Sequence, residues 1–224
     1  MSELKHLGII ADGNRRWAKE NGLPKIEGHR RGFNKIETLV NAAAEAGIPY
    51  ISFFVFSTEN WGREASEVSY LMDLASSMVL KLAKKFAKSN IRMLVLGSRE
   101  RVDPKLVSLA EKAEKLTENC TGTTACFCFN YGGEQEIADA ANKALAAGEK
   151  ITPETIRKHL YKPEVPDVDM IVRTSGEERI SGYMLWRAAY AEFYFLKKYF
   201  PEMEAADIEN ILKEYNKRSR RFGK

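Results

Sequence analysis

Six short apolar runs recur along this chain, at 7–11, 50–56, 91–96, 124–129, 170–172 and 193–196. Each is continuous rather than alternating and rich in β-branched or aromatic residues. Stretches of helical character separate most of them, at about 33–46, 66–89, 103–118, 134–147 and 183–190. A strand that is apolar on both faces must be covered on both, as in a parallel sheet wrapped by helices. The alternation therefore predicts an α/β fold with a mostly parallel sheet flanked by helices. No repeat, low-complexity linker or shift in composition divides the chain, so a single domain over 1–224 is expected.

Three longer segments add detail. The stretch 148–166 is looser and predicts a short helix between loops. The last helix, about 205–219, ends in the basic run Lys217, Arg218, Arg220, Arg221 and Lys224. In the helix 67–88, Leu71, Leu74, Ala75, Met78, Leu82 and Phe86 fall on one stripe. That stripe packs on the sheet, or part of it lines a cavity for an apolar ligand; the pattern fits both.

Several classes are excluded. The apolar runs are far shorter than the roughly 20 residues that cross a bilayer. The three cysteines, Cys120, Cys126 and Cys128, and the lack of a signal-peptide pattern predict a reducing, cytoplasmic setting without disulfides. With no second pair at zinc spacing, the cysteines are expected to be structural. A formal charge of +4 is too small to indicate nucleic acid. No GxxxxGK[ST] occurs, and no GxGxxG follows a strand.

Ligands of open parallel sheets sit beyond the carboxyl ends of the strands. The first run ends in Asp12-Gly13-Asn14-Arg15-Arg16-Trp17. Gly13 permits close backbone approach, and the following helix start offers N–H groups to an anion. Asp12 is a candidate Mg²⁺ ligand, or equally a helix cap. The second run ends in Ser57-Thr58-Glu59-Asn60-Trp61-Gly62-Arg63, richer in polar groups than a loop requires. The fifth ends in Arg173-Thr174-Ser175-Gly176-Glu177-Glu178-Arg179-Ile180-Ser181, where guanidinium forks suit phosphate oxygens. His29 lies after the first helix start, with Lys25 and Arg30 nearby. Three such strand ends imply an acidic, polyphosphate ligand.

At these segments the chain resembles the cis-prenyltransferase, or undecaprenyl diphosphate synthase, family. The resemblance rests on 6–18, on 56–61, on Asn130-Tyr131-Gly132-Gly133 and on 173–181. Leu185-Trp186, the stretch 190–195 and the terminal Arg220-Arg221-Phe222-Gly223 fit as well. It runs in order over nearly the whole chain. The resemblance implies a six-stranded sheet, a homodimer, Mg²⁺ and condensation of isopentenyl diphosphate onto an allylic diphosphate such as farnesyl diphosphate, forming cis double bonds. Product length is left open as undecaprenyl-type or shorter.

By resemblance, Gly13, Asn14, Arg15, Arg16, Trp17, Lys25 and His29 cradle the allylic diphosphate. Asp12 binds Mg²⁺ and assists departure of diphosphate, and Glu192 completes the metal site, across the dimer if need be. Arg173, Arg179, Ile180 and Ser181 belong to the isopentenyl diphosphate pocket. Ser57, Thr58, Glu59, Asn60, Trp61 and Arg63 frame the reacting ends, with Asn60 a candidate for taking or relaying the proton. Arg221-Phe222-Gly223 reaches the partner's site in such a dimer. The amphiphilic ligand also suggests peripheral contact with a membrane.

The chain departs from the family pattern at Arg15, Lys25, Glu64, Glu134 and Gly182. Val55 stands where a small Ala is common, which shortens the product if Val55 faces the product tunnel; Phe127 and Phe129 either floor or flank that tunnel. The alternative is a non-catalytic partner subunit of a heteromeric cis-prenyltransferase. Such subunits lose the Asp-Gly-Asn and Arg-Thr-x-Gly segments, which this chain keeps.

Overall fold

A computed structural model describes residues 4–218. All six expected strands form: β1 (His6–Ile10), β2 (Tyr50–Ser57), β3 (Arg92–Leu96), β4 (Thr124–Tyr131), β5 (Met170–Arg173) and β6 (Glu192–Phe195). They make one sheet in the order β3-β4-β2-β1-β5-β6. Every neighbouring pair is parallel. The helices are α1 (Asn14–Glu20), α2 (Lys25–Glu45), α3 (Ala65–Lys88), α4 (Pro104–Leu116), α5 (Gly133–Ala146), α6 (Pro153–His159) and α7 (Ala205–Asn216). Among the described residues no helix is long and apolar enough to cross a membrane.

The period-2 alternation of side chains divides the core. Leu7, Ile9, Ile51, Phe53, Val95 and Phe127 face the larger layer, which holds Leu39 and Val40 of α2, Leu82 and Phe86 of α3, and Ile208 and Ile211 of α7. Leu94, Cys126, Cys128 and Ile171 face the other, against Val165, Tyr183 and Met184. Cys126 and Cys128 are buried there, and burial raises both thiols, Cys126 to about 12, so neither is a thiolate at neutral pH.

One expected helix is absent. Residues 183–190 form successive turns. Ser181, Gly182 and Met184 have φ of 50°, 76° and 51°, which no right-handed helix accommodates. A buried ion pair holds the segment instead. Arg187 Nη1 donates to Glu136 Oε1 at 2.8 Å, and Nη2 donates to the carbonyls of Tyr161 and Lys162.

Two irregularities interrupt the β2–β4 ladder. Phe54 pairs with Cys128 and Phe56 with Phe129, leaving Val55 unmatched; Ser57 then pairs with Tyr131, leaving Asn130 unmatched. Such bulges bend a strand and re-aim a side chain. Both lie at the carboxyl end of the sheet.

Candidate active site

The carboxyl ends of β1, β2 and β5 meet as the sequence predicts. Thr174, fully buried, joins two of them: its hydroxyl donates to the Asp12 carbonyl at 2.6 Å and accepts the Asp12 N–H at 3.0 Å. Gly13 takes φ 98°, and a Cβ there would stand 2.5 Å from Tyr199 Cδ1 and 2.9 Å from Ser175 Cβ. Glycine is required on both counts. The Gly13 N–H donates to Asp12 Oδ1 at 2.6 Å, Arg16 lies 3.3 Å from that oxygen, and Arg173 Nη2 donates to Oδ2 at 2.8 Å. Burial works against ionisation of Asp12, but Arg173 outweighs it and the carboxyl is held below its ordinary value.

Asp12 lies where two cavities meet. A cavity of about 180 Å³ is lined by Asp12, Asn14, His29, Phe54, Val55, Asn60, Arg63, Leu71, Arg173 and Ser181. It adjoins a cationic cleft of about 710 Å³ with which it shares Asp12, Asn14, His29 and Arg63; Arg15, Arg16, Lys19 and Lys25 line the rest. On the other side it shares Ser57, Asn60 and Ser181 with a polar cleft of about 590 Å³, bordered by Thr58, Glu59, Gly132 and Gly133. Val55 also lines an apolar cavity of about 50 Å³ between α3, α4 and the sheet, together with Phe33, Ala75, Val79, Leu82, Phe127 and Phe129. The α3 stripe thus serves both expected purposes: Leu71, Ala75 and Leu82 are buried, and Ala75 and Leu82 line the apolar cavity.

The cationic cleft is organised by a residue that sequence reasoning missed. Glu67, in the first turn of α3, is 6% exposed. Its Oε1 accepts from Arg63 at 3.0 Å and lies 3.2 Å from His29 Nε2, and its Oε2 lies 3.8 Å from Arg15. Burial and Arg63 hold His29 below its ordinary value despite Glu67, so the imidazole is neutral at pH 7. Burial disfavours the Glu67 carboxylate too, but Arg15 and Arg63 prevail and keep it ionised. The signal was an acid four residues before Leu71, in register with the buried stripe. Gly28 and Gly32 of α2 were missed as well; a Cβ there would stand 2.0 Å from the Asn14 carbonyl and 2.3 Å from Asn14 Oδ1. Two of the family departures are neighbours: Lys25 Nζ lies 3.7 Å from Glu64 Oε2 at the exposed rim.

Arg173 is 5% exposed, and its Nη1 donates to Ser181 Oγ at 2.9 Å and to the Arg179 carbonyl. Glu177 links the two cationic sides, accepting from Arg16 at 2.8 Å and from Arg179. Asn14 Oδ1 and Arg173 Nε are buried without hydrogen-bond partners among the described residues, and both belong to residues lining the central cavity. Asn60 Oδ1 already accepts the Ser57 N–H at 3.2 Å, so its amide has N–H donors to offer the cavity. That suits holding an anion better than taking a proton.

Other predicted residues stand apart. Trp17 is 9% exposed and covered by Arg31, 5.3 Å from its ring. Ile180 packs against the second core layer. Glu192 begins β6 and pairs in register with Met170, whereas Phe195 pairs with Arg173. Three residues of strand, about 10 Å, thus separate it from the level of Arg173. Within one chain Glu192 does not join Asp12; its carboxylate accepts from Arg218 at 2.9 Å. Arg220, Arg221, Phe222 and Gly223 lie outside the described residues.

Among the described residues no group of three or more His, Cys, Asp or Glu forms a metal cage. Mg²⁺ commonly binds through one or two carboxylates with substrate phosphates supplying the rest. An ionised carboxylate has about four lone-pair sites, and the three donors on Asp12 leave room for a cation beside a diphosphate. The donor set fits Mg²⁺ that arrives with its substrate.

The chain is similar to known proteins over its whole length. A family model described as "Putative undecaprenyl diphosphate synthase" matches residues 10–223. An isoprenyl transferase of Neisseria meningitidis is 42% identical over 221 residues, 98% of this chain and 89% of that protein. Lavandulyl diphosphate synthase from Lavandula x intermedia, crystallised in complex with dimethylallyl diphosphate, superposes with a TM-score of 0.94 at 30% identity, covering 99% of this chain and 98% of that one. A probable undecaprenyl diphosphate synthase from Campylobacter jejuni superposes with a TM-score of 0.86, also at 30% identity and over 100% of both chains.

Proposed function

We propose, from the premise that this chain belongs to the undecaprenyl diphosphate synthase family of isoprenyl transferases, that it condenses isopentenyl diphosphate onto an allylic diphosphate with a cis double bond at each addition. The observation that supports this reading is the branching of the central cavity. Two polar clefts and one apolar cavity meet it at Asp12, Asn60 and Val55. Two diphosphates and one growing hydrocarbon need that number of arms, placed so that the reacting carbons meet.

In this reading the allylic diphosphate lies in the cationic cleft, held by the Gly13 and Asn14 turn, Arg15, Arg16, Lys25, His29 and Arg63. Breaking the allylic C–O bond leaves negative charge on diphosphate, which preorganised cations stabilise. Bound Mg²⁺, held by Asp12, would add charge neutralisation on the leaving diphosphate. Isopentenyl diphosphate lies toward Arg173, Arg179 and Ser181, with Asn60 donating to a diphosphate oxygen. A diphosphate oxygen then takes the proton lost from the condensing carbon.

The product chain grows into the apolar cavity. Val55, Phe127 and Phe129 line it, and the product is of undecaprenyl type or shorter, with the bulk of Val55 favouring the shorter end. The chain acts as a homodimer through the β6 edge, where Phe193 is 38% and Tyr190 76% exposed and the Phe193 and Phe195 rings stack at 6.2 Å. Glu192 would reach a metal site only across that dimer. A purely non-catalytic partner role has no support in a site that keeps its cations and its carboxylate.

The test is incubation with labelled isopentenyl diphosphate, Mg²⁺ and geranyl, farnesyl or geranylgeranyl diphosphate, reading product length. A ladder ending at one length is expected, lost with chelator and reduced about a hundredfold or more in Asp12→Ala. No incorporation with any starter would overturn the reading.

A further inference from the structure

The connection between β3 and α4 forms a wall of the apolar cavity through Ser98, Arg99 and Val102. It also reaches back to the Ser57–Arg63 segment, and two residues in left-handed conformation make that link. The first is Asn130, the unmatched residue of the second bulge, with φ 50°. Its Oδ1 accepts from Trp61 Nε1 at 2.7 Å, and its Nδ2 donates to the carbonyls of Ser98 and Glu100 at 2.9 and 2.8 Å. The second is Arg101, with φ 63°, whose guanidinium stacks 4.7 Å from the centre of the Trp61 ring. Arg101 is exposed and forms no ion pair with a carboxylate among the described residues, so the ring is what it serves.

The other side of Trp61 is equally fixed. Phe56 meets it edge-on at 5.3 Å and stacks on Phe129 of the cavity wall at 5.4 Å. Trp61 adjoins Asn60, whose carbonyl accepts the Arg63 N–H. The indole is thus held by a hydrogen bond, an aromatic edge and a cation, and it anchors the turn that carries both Asn60 and Arg63. Backbone strain at a bulky residue persists where the surroundings require it. At Arg101 glycine would be the relaxed choice.

We infer that Arg101 is a positioning residue: through its stack on Trp61 it holds the Asn60–Arg63 turn in the reactive geometry. Asn130 ties that turn to the same loop. The inference rests on the synthase reading for its kinetic consequence, but the stack itself can be tested apart from turnover.

The experiment compares the full chain with Arg101→Gly and Arg101→Lys. Glycine removes the side chain and relieves the φ 63° backbone, so a merely structural role predicts an unchanged or higher melting temperature and unchanged turnover. Positioning predicts kcat lower by about three- to tenfold in Arg101→Gly, the loss expected of a cation–π contact. KM for farnesyl diphosphate should rise by no more than about twofold, because of the residues lining the cationic cleft only Arg63 lies on that turn. Amide hydrogen exchange across 57–63 should quicken in Arg101→Gly, while β1 and α7 keep their rates. Arg101→Lys, which retains a cation over the ring, should restore both turnover and protection.

Unchanged exchange at 57–63 in Arg101→Gly, or failure of lysine to restore it, would overturn the inference. If the unaltered chain incorporates no isopentenyl diphosphate, the synthase reading fails, and the exchange comparison still decides whether Arg101 holds the turn.

Discussion

Replacing Glu67 by Gln tests whether a buried acid organises the cationic cleft. The carboxylate is 6% exposed and meets Arg63 at 3.0 Å, His29 at 3.2 Å and Arg15 at 3.8 Å. Removing one partner of a fully buried ion pair costs about 3–5 kcal/mol. The side chains of Arg63 and Arg15 are 28% and 47% exposed, so solvent screens part of that loss, and Gln retains one acceptor. A destabilisation of about 2 kcal/mol remains, or roughly 4–8 °C in melting temperature for a chain of this size. The kinetic consequence is separate. Arg63 and His29 lose their common anchor, so kcat/KM for the allylic diphosphate should fall while KM for isopentenyl diphosphate holds. Thermal unfolding and steady-state kinetics with each substrate varied in turn measure both. A Glu67→Gln protein with the parent melting temperature and unchanged allylic kcat/KM would show that the cations are placed without Glu67.

Two further outcomes follow from the geometry. Val55→Ala should lengthen the product, read by chromatography of the reaction ladder, because Val55 lines both the central and the apolar cavity; unchanged product size would remove Val55 from the measuring wall. His6 is fully buried, its Nε2 2.7 Å from Ser52 Oγ and its Nδ1 2.9 Å from the Pro166 carbonyl, and burial lowers its pKa from 6.5 to about 4. The unfolded chain therefore binds the proton first, so this stability is fully present above pH 6.5 and is lost as pH falls toward 4, by about 3 kcal/mol. Urea unfolding at several pH values should show that slope, and His6→Asn should flatten it; an equally steep slope in the variant would assign it to other groups.

Much of this architecture was legible because strands covered on both faces leave continuous apolar runs. All six such runs became strands, and the three polar strand ends came together. What escaped had other physical causes. The segment 183–190 carries helix formers, Ala188, Ala189 and Leu185, but Met184 is left-handed and Arg187 is spent on a buried pair with Glu136, which overrides propensity. Glu67 looked like an ordinary acid at a helix start, favoured there by the helix dipole. Only the fold shows that the same turn faces two guanidinium groups and the His29 imidazole. Glu192 matches the family pattern in sequence, yet strand register places it at the far level of the sheet from Arg173.

The two bulges carry the deepest consequence. A one-residue slip in strand pairing exchanges the faces on which side chains lie. The first slip, at Val55, puts one side chain on both the reacting chamber and the apolar cavity. The second, at Asn130, turns a β4 residue toward Trp61 and the loop that walls that cavity. Both interruptions lie within the last few residues of one ladder. The elements that would hold the reacting ends and those that would measure the chain therefore share a backbone irregularity. A substitution that shifts the ladder there cannot alter product length without also moving the Asn60 turn. Regularising it, by deleting Val55 for instance, should change turnover and length together, whereas trimming Val55 to Ala leaves the bulge in place and should change length first.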